Sequence, residues 1–281
     1  MTKQRIAFQG ELGANSHEAC LAVYPDGEPV PHATFEDAFE AVKRGDCQLG
    51  MLPVENSIAG RVADVHHLLP ASGLKIIREY FKPIHFQLMA LPGVKLADVK
   101  TVVSMPFALA QCRRALKPLK AHAEMAGDTA GSAKLVAEQG DRSKAAIAPA
   151  LAAEIYGLEI LARDIEDEHH NTTRFLVMTA EKDPKRPPFT EPCITSFVFR
   201  VKNLPAALYK AMGGFATNGV NVSKLESYME NGAWTATFFY AEADGRPEDR
   251  GLARAFEELQ FFSEKFEILG VYPADSFRTR G

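Results

Sequence analysis

From residue 3 to about 180, short apolar runs alternate with amphipathic stretches, and no other feature of the chain constrains its fold as much. "RIAFQ", "QLGMLPV", "TVVSM", "AAIAP" and "RFLVM" have the length and composition of strands. "SHEACLAVYP", "TFEDAFEAVKRG", "RVADVHHLLP", "PFALAQCRRALKPL" and "DTAGSAKLVAEQG" read as the helices between them. Such alternation predicts α/β layers around a largely parallel sheet. Ser16, Thr34 and Asp128 sit where N-caps belong, and Gly45 and Gly140 where helices stop. The β-like stretch "LKIIREYFKPIHFQLMALPG" predicts strands running between two lobes.

"EKDPKRPPFTEP" breaks the pattern with prolines and mixed charge and reads as a semi-rigid linker. Beyond it come a strand "CITSFVFRV", a helix "PAALYKAMGGFATNG", a strand "VNVSKLESYM", a turn "ENG", a strand "AWTATFFYAEA", a helix "PEDRGLARAFEELQFFSE" and a strand "FEILGVYP". That βαββαβ order is ferredoxin-like. The expected division is a first domain over residues 1–182 whose second lobe covers roughly 80–160, a linker over 183–192 and a second module over 193–275.

The chain has 281 residues, 46% hydrophobic and 24% charged, enough for two cores. A net charge of -4 argues against nucleic acid or an anionic membrane as partner and favours a small molecule. Cys20, Cys47, Cys112 and Cys193 are widely spaced, which fits reduced thiols and neither a zinc cage nor a disulfide framework. "MTKQRIAFQG" has no apolar signal-like stretch, so a cytoplasmic location is expected. The pairs His66, His67 and His169, His170 are adjacent and point apart, so no metal is expected there.

Ligands of open α/β sheets bind beyond the carboxyl ends of strands, often at helix N-termini. Three segments have that layout: "QGELGANSHEA" with Asn15 and Ser16, the strand end at Ser104, and "GDTAGSAKL" with Thr129. Each reads either as plain capping or as a carboxylate site. In "LPVENSIAG", Glu55, Asn56 and Ser57 follow an apolar strand at once, as a polar turn or as part of a site. In "HHNTTRFLVM", Asn171 precedes a strand whose alternation puts Thr173 and Phe175 on one face and Arg174 on the other. Arg174 then either pins a neighbouring carboxylate or, if the loop twists, reaches the ligand.

Taken together, these segments resemble the prephenate dehydratases: "NTTRF" is similar to that family's Thr-Arg-Phe signature, "PVENS" to its Glu-Asn-Ser segment and "GELGANSHEA" to its glycine-rich segment. The likeness runs over residues 3 to 180, and the module after 193 resembles an ACT domain. The resemblance implies a two-lobed, periplasmic-binding-protein-like catalytic domain with the active site between the lobes. It implies decarboxylating dehydration of prephenate to phenylpyruvate, without a cofactor, with arogenate dehydratase as the close alternative. A non-catalytic intracellular sensor of aromatic metabolites is the reading from another class. Thr173, Arg174 and Glu55 are the implied catalytic residues, and Ser16, Asn15, Asn56, Ser57, Ser104, Thr129, Asn171 and Phe175 the implied substrate contacts. In the second module, Ala206, Ala207, Leu208, Asn218, Asn221, Glu226 and Ser227 fall where the family binds L-phenylalanine as effector, and a homodimer or homotetramer is implied. The chain departs from the family at Met105, where histidine is common, and at Ala206, where glycine is common.

Overall fold

The computed structural model describes residues 3–185, 188, 191–202, 204–229 and 238–279. The chain forms two compact units: residues up to Leu68 with Tyr80–Leu176, and Leu69–Glu79 with the residues from Val177 onward. Residues Leu69–Glu79, expected within a continuous 1–182 domain, are therefore grouped with the C-terminal unit.

The first unit opens with β1 (Arg5–Gln9), α1 (Asn15–Val23), β2 (Glu28–His32), α2 (Phe35–Arg44), β3 (Leu49–Asn56), β4 (Gly60–Arg61) and α3 (Ala63–Leu68). Strand β5 (Lys75–Pro83) then leads into a second lobe of β6 (Gln87–Ala90), β7 (Thr101–Ser104), α4 (Pro106–Gln111), α5 (Arg113–Leu116), β8 (His122–Met125), α6 (Thr129–Gln139), β9 (Lys144–Ala148), α7 (Ala150–Tyr156) and β10 (Glu159–Ala162). β11 (Thr172–Thr179) returns to the first lobe. The strand order is β2-β1-β3-β11 in the first lobe and β8-β7-β9-β6-β10 in the second. In each, a strand beside its parallel neighbours brings the chain across, which is the binding-protein-like arrangement.

Strand β2, "EPVPH", has two prolines and was not among the expected strands. It pairs only with β1, and at a sheet edge the missing N–H groups leave no ladder bond unmade. Thr34 caps α2 by accepting from Asp37 N at 3.1 Å, and Asp128 caps α6 by accepting from Gly131 N at 2.6 Å. Gly45 and Gly140 end those helices at φ 82° and 65°. Ser16 is not a cap: α1 starts from Ala14, with Asn15 and Ser16 inside its first turn.

In the second unit, β12 (Cys193–Val201), α8 (Ala207–Thr217), β13 (Val222–Tyr228), β14 (Phe238–Asp244), α9 (Arg250–Phe261) and β15 (Ser263–Pro273) follow the expected βαββαβ order. The sheet order is β13-β14-β12-β15, antiparallel throughout. Phe197, Phe199 and Phe239 from one sheet face bury against Phe215 of α8 and Phe256 of α9, each ring contributing about 2 kcal/mol of apolar burial. The "ENG" turn, the first five residues of "AWTATFFYAEA" and part of the 183–192 linker lie outside the described residues. No helix among the described residues is long and apolar enough to cross a membrane.

Candidate active site

A cavity of about 570 Å³ opens between the two lobes of the first unit. Asn15, Ser16, Asn56, Thr129, Thr173 and Phe175 line it, and all six were sequence candidates. Thr173 and Phe175 share the cavity face of β11, as strand alternation requires.

The polar centre of the cavity is ordered by one amide. Asn56 Oδ1 accepts from Ile58 N at 3.0 Å and Ala59 N at 2.9 Å. Backbone N–H groups only donate, so the oxygen must face them and Nδ2 must face the other way. That nitrogen donates to Thr173 Oγ1 at 2.9 Å and to Asn171 Oδ1 at 2.7 Å. Asn171 in turn donates to Gln111 Oε1 at 2.6 Å. The Thr173 oxygen is thus an acceptor towards Asn56, and no described residue takes the hydroxyl proton. That proton is available to a group in the cavity that Thr173 lines.

The two helix N-termini at the cavity differ. The first turn of α6 is capped by the Asp128 carboxylate. α1 has no side-chain cap, so its leading N–H groups and the positive end of its dipole face the cavity beside Asn15 and Ser16. Asn15 Oδ1 is buried without a hydrogen-bond partner. The uncapped N–H groups make the α1 end the better anion seat, while Asn15 Oδ1, an acceptor, calls for a donor.

Five candidates lie off the cavity wall. Arg174, 4% exposed, projects from the opposite face of β11, where its guanidinium approaches Glu55 at 3.8 Å and lies 5.7 Å from the Phe81 ring. Of the two roles left open for Arg174, the fold gives it the carboxylate partner. Ser57 fastens the ends of two strands, donating to His170 O and accepting from Thr172 N, both at 3.0 Å. Ser104 is fully buried and donates to Ile147 O at 2.8 Å, so the side chain turns into the second lobe; Met105 faces the cavity in its place. Asn171 is buried behind Asn56 and acts through it.

Sequence reading missed Gln111 and His17. Gln111 ends α4 and supports Asn171, with its own Nε2 buried and unpartnered. His17 stacks on Phe8 at 5.6 Å and accepts from Gly13 N at 2.9 Å, bracing the loop ahead of α1. Burial lowers the His17 pKa, against a weaker pull upward from Glu18, and favours the neutral ring that this bond needs. Neither residue has a local signal, because each acts on a neighbour that only the fold supplies.

Several of the regulatory candidates make contacts within their own unit. Ala207 is buried and Leu208 packs beside the phenylalanine core. Asn218 donates to Gly214 O at 2.8 Å and Asn221 to Asp244 Oδ2 at 2.9 Å. Glu226 and Ser227 lie on β13, where Glu226 meets Lys224 at 3.2 Å. Ala206 caps α8 at φ 59°, in the left-handed region.

Fold and cavity define a two-lobed α/β protein with a polar-centred cavity between its lobes. The model of the family described as prephenate dehydratase matches residues 6–183, and the chain belongs to the prephenate dehydratase family, whose members are hydro-lyases. It is 47% identical over 275 residues to a "Bifunctional N-acyl-homoserine lactone acylase/prephenate dehydratase" of Komagataeibacter europaeus, covering 98% of each chain. It is 38% identical to "Arogenate dehydratase/prephenate dehydratase 1, chloroplastic" of Arabidopsis thaliana, covering 99% of this chain and 74% of that one. Among solved structures, prephenate dehydratase from Arthrobacter aurescens in complex with L-Phe superposes with a TM-score of 0.87 at 32% identity, covering 96% of this chain and 90% of that one. Family membership favours the enzyme over the sensor.

Proposed function

We propose that this chain converts prephenate to phenylpyruvate, carbon dioxide and water, with the Thr173 hydroxyl as the group that meets the departing oxygen. The ring carboxylate leaves as carbon dioxide, its bonding electrons enter the ring, and the ring hydroxyl departs with one proton taken up as water. Hydroxide is a poor leaving group, so a donor aimed at that oxygen lowers the barrier where charge develops. Threonine is too weak an acid to be the ultimate proton source; it donates a hydrogen bond or relays a proton. Asn56 holds it in the donating orientation, and Asn171 and Gln111 hold Asn56.

The side-chain carboxylate of the substrate sits at the N-terminus of α1 beside Asn15 and Ser16, and Phe175 and Phe107 flank the ring. Arg174 and Glu55 act from behind β11, fixing the strand that presents Thr173. The observation that supports this reading is the Asn56 amide, whose backbone partners turn its Nδ2 to the Thr173 oxygen, so that hydroxyl can donate to a ligand in the cavity. Mixing purified protein with prephenate and following phenylpyruvate absorbance tests it; no product sinks it.

Arogenate is the second substrate to test. The orphaned Asn15 Oδ1 accepts from an amine, which arogenate has and prephenate lacks, and a relative carries both dehydratase names. Comparing kcat/KM on the two substrates decides. Likeness to the Komagataeibacter chain over nearly its full length makes N-acyl-homoserine lactone hydrolysis a separate assay.

The βαββαβ module over 193–275 reads as an ACT domain that binds L-phenylalanine between subunits of a homodimer or homotetramer. The L-Phe complex of the Arthrobacter relative supports the effector. Calorimetry with L-phenylalanine that shows neither heat nor a change in activity rejects it.

A further inference from the structure

Two segments carry the chain between the lobes of the first unit: residues 84–86, between β5 and β6, and residues 163–171, between β10 and β11. They are bonded to each other, Ile84 N to Asn171 O at 2.8 Å and Ile165 N to Phe86 O at 2.9 Å. Ile84 and Phe86 line the cavity. His85, between them, is not among the lining residues and meets two carboxylates from the returning segment.

His85, Asp164 and Glu166 each bring one ligand atom within 4.8 Å of the others. His85 Nδ1 lies 2.8 Å from Glu166 Oε1 and 3.9 Å from Asp164 Oδ1. Ligands held at about 2.0–2.2 Å around a tetrahedral ion sit roughly 3.3 Å from one another, so these separations bracket what an ion needs. Outer donors already orient both carboxylates: Phe86 N gives to Glu166 Oε2 and Gln87 Nε2 to Asp164 Oδ1, each at 2.9 Å. Such second partners are the usual support of metal ligands. The Glu166 side chain is 1% exposed, while those of His85 and Asp164 are 52% and 60% exposed, so the cluster has a buried anchor and an open entrance. Two carboxylates against one imidazole leave an excess of negative charge that a divalent cation neutralises.

We propose that His85, Asp164 and Glu166 bind a first-row divalent cation, zinc for preference, that ties the two inter-lobe segments together. One nitrogen and two carboxylate oxygens suit zinc, and three protein ligands leave a position for water. The ion ties the crossing between the lobes, independently of the chemistry in the cavity.

The test uses the full chain, stripped with a chelator and dialysed against zinc chloride, with bound metal measured by elemental analysis and stability by thermal unfolding. One zinc per chain and a Tm raised by zinc are expected, because an ion that binds the folded form stabilises it. His85→Ala and Asp164→Asn abolish both effects, and Gln87→Ala weakens binding by about 10-fold through the loss of an outer donor. Should either substitution prevent folding, His85→Gln replaces it. Zinc bound equally by these variants, or not bound by the wild type at millimolar concentration, overturns the site and leaves a salt link alone.

Discussion

Asn56 and Thr173, 117 residues apart in sequence, meet at 2.9 Å with the amide as donor and the hydroxyl oxygen as acceptor. The direction of that single bond leaves the threonine hydroxyl able to donate elsewhere. The first consequence concerns Thr173 itself. Thr173→Val keeps the shape and removes the hydroxyl, so kcat is expected to fall by about 100- to 1,000-fold, as for the loss of other aimed donors, with KM little changed. Thr173→Ser should retain most of the rate. Steady-state assays on prephenate read both, and a Val variant with wild-type kcat removes the assignment.

Asn56→Asp tests the orientation of the Thr173 hydroxyl. A carboxylate still accepts from Ile58 and Ala59 N–H, but it cannot donate to Thr173, whose proton then turns towards it and out of the cavity. Turnover is expected to fall as for Thr173→Val, and because the carboxylate also faces the buried Asn171 Oδ1 that Asn56 serves, about 1–3 kcal/mol of stability should be lost in a urea titration. Asn56→Ala leaves both N–H groups unserved and should also lose about 1–3 kcal/mol of stability in the same titration.

Gly13→Ala tests the loop ahead of α1. Gly13 has φ 90°, and an added Cβ would lie 2.7 Å from Ala152 Cα on the second lobe. Strain and clash together should cost about 1–3 kcal/mol and raise KM by shifting the anion seat. Gly10→Ala carries the strain at φ 113° without such a clash, its nearest neighbour being Ala14 Cβ at 3.5 Å, and is expected to be milder. Chemical denaturation and KM of the pair give the comparison.

The depressed pKa of His17 makes stability pH-dependent. Because burial holds its folded value below the unfolded 6.5, the unfolded chain binds the extra proton first. The His17 contribution is complete above pH 6.5 and is lost as pH falls from there towards the folded value. His32, likewise lowered by burial, adds to the same slope. Urea midpoints of the wild type should decline on acidification through that window, and those of His17→Gln should decline less. Identical slopes would remove His17 as a contributor.

Ala206→Gly should stabilise the protein. An alanine at φ 59° sits in a region that disfavours any Cβ, at a cost of about 1–2 kcal/mol, and glycine relieves it at some expense in unfolded-state entropy. A net gain of up to about 1 kcal/mol is expected in thermal unfolding.

The α/β character of the first unit, the βαββαβ order of the second and the opposite facing of Thr173 and Arg174 were all legible in the chain. Each follows from a period of two or 3.6 residues, which is a local property. The β2 strand was not, since "EPVPH" makes sense only at an edge, and edges are defined by which strands are absent on the far side. The cap expected at Ser16 and the inward turn of Ser104 escaped the sequence for a related reason. A serine beside a strand end or helix start looks the same whether it meets Ile147 O, opens a helix or caps one.

By itself, then, the order of residues determined the layers, the succession of elements and the strand end that carries the hydroxyl, because backbone geometry converts spacing into facing. Only the tertiary structure decided that Asn56 donates to that hydroxyl, that Gln111 stands behind Asn171 and that Leu69–Glu79 sides with the C-terminal unit. Those outcomes depend on lateral strand order and on groups brought together from across the chain, and no local period encodes them.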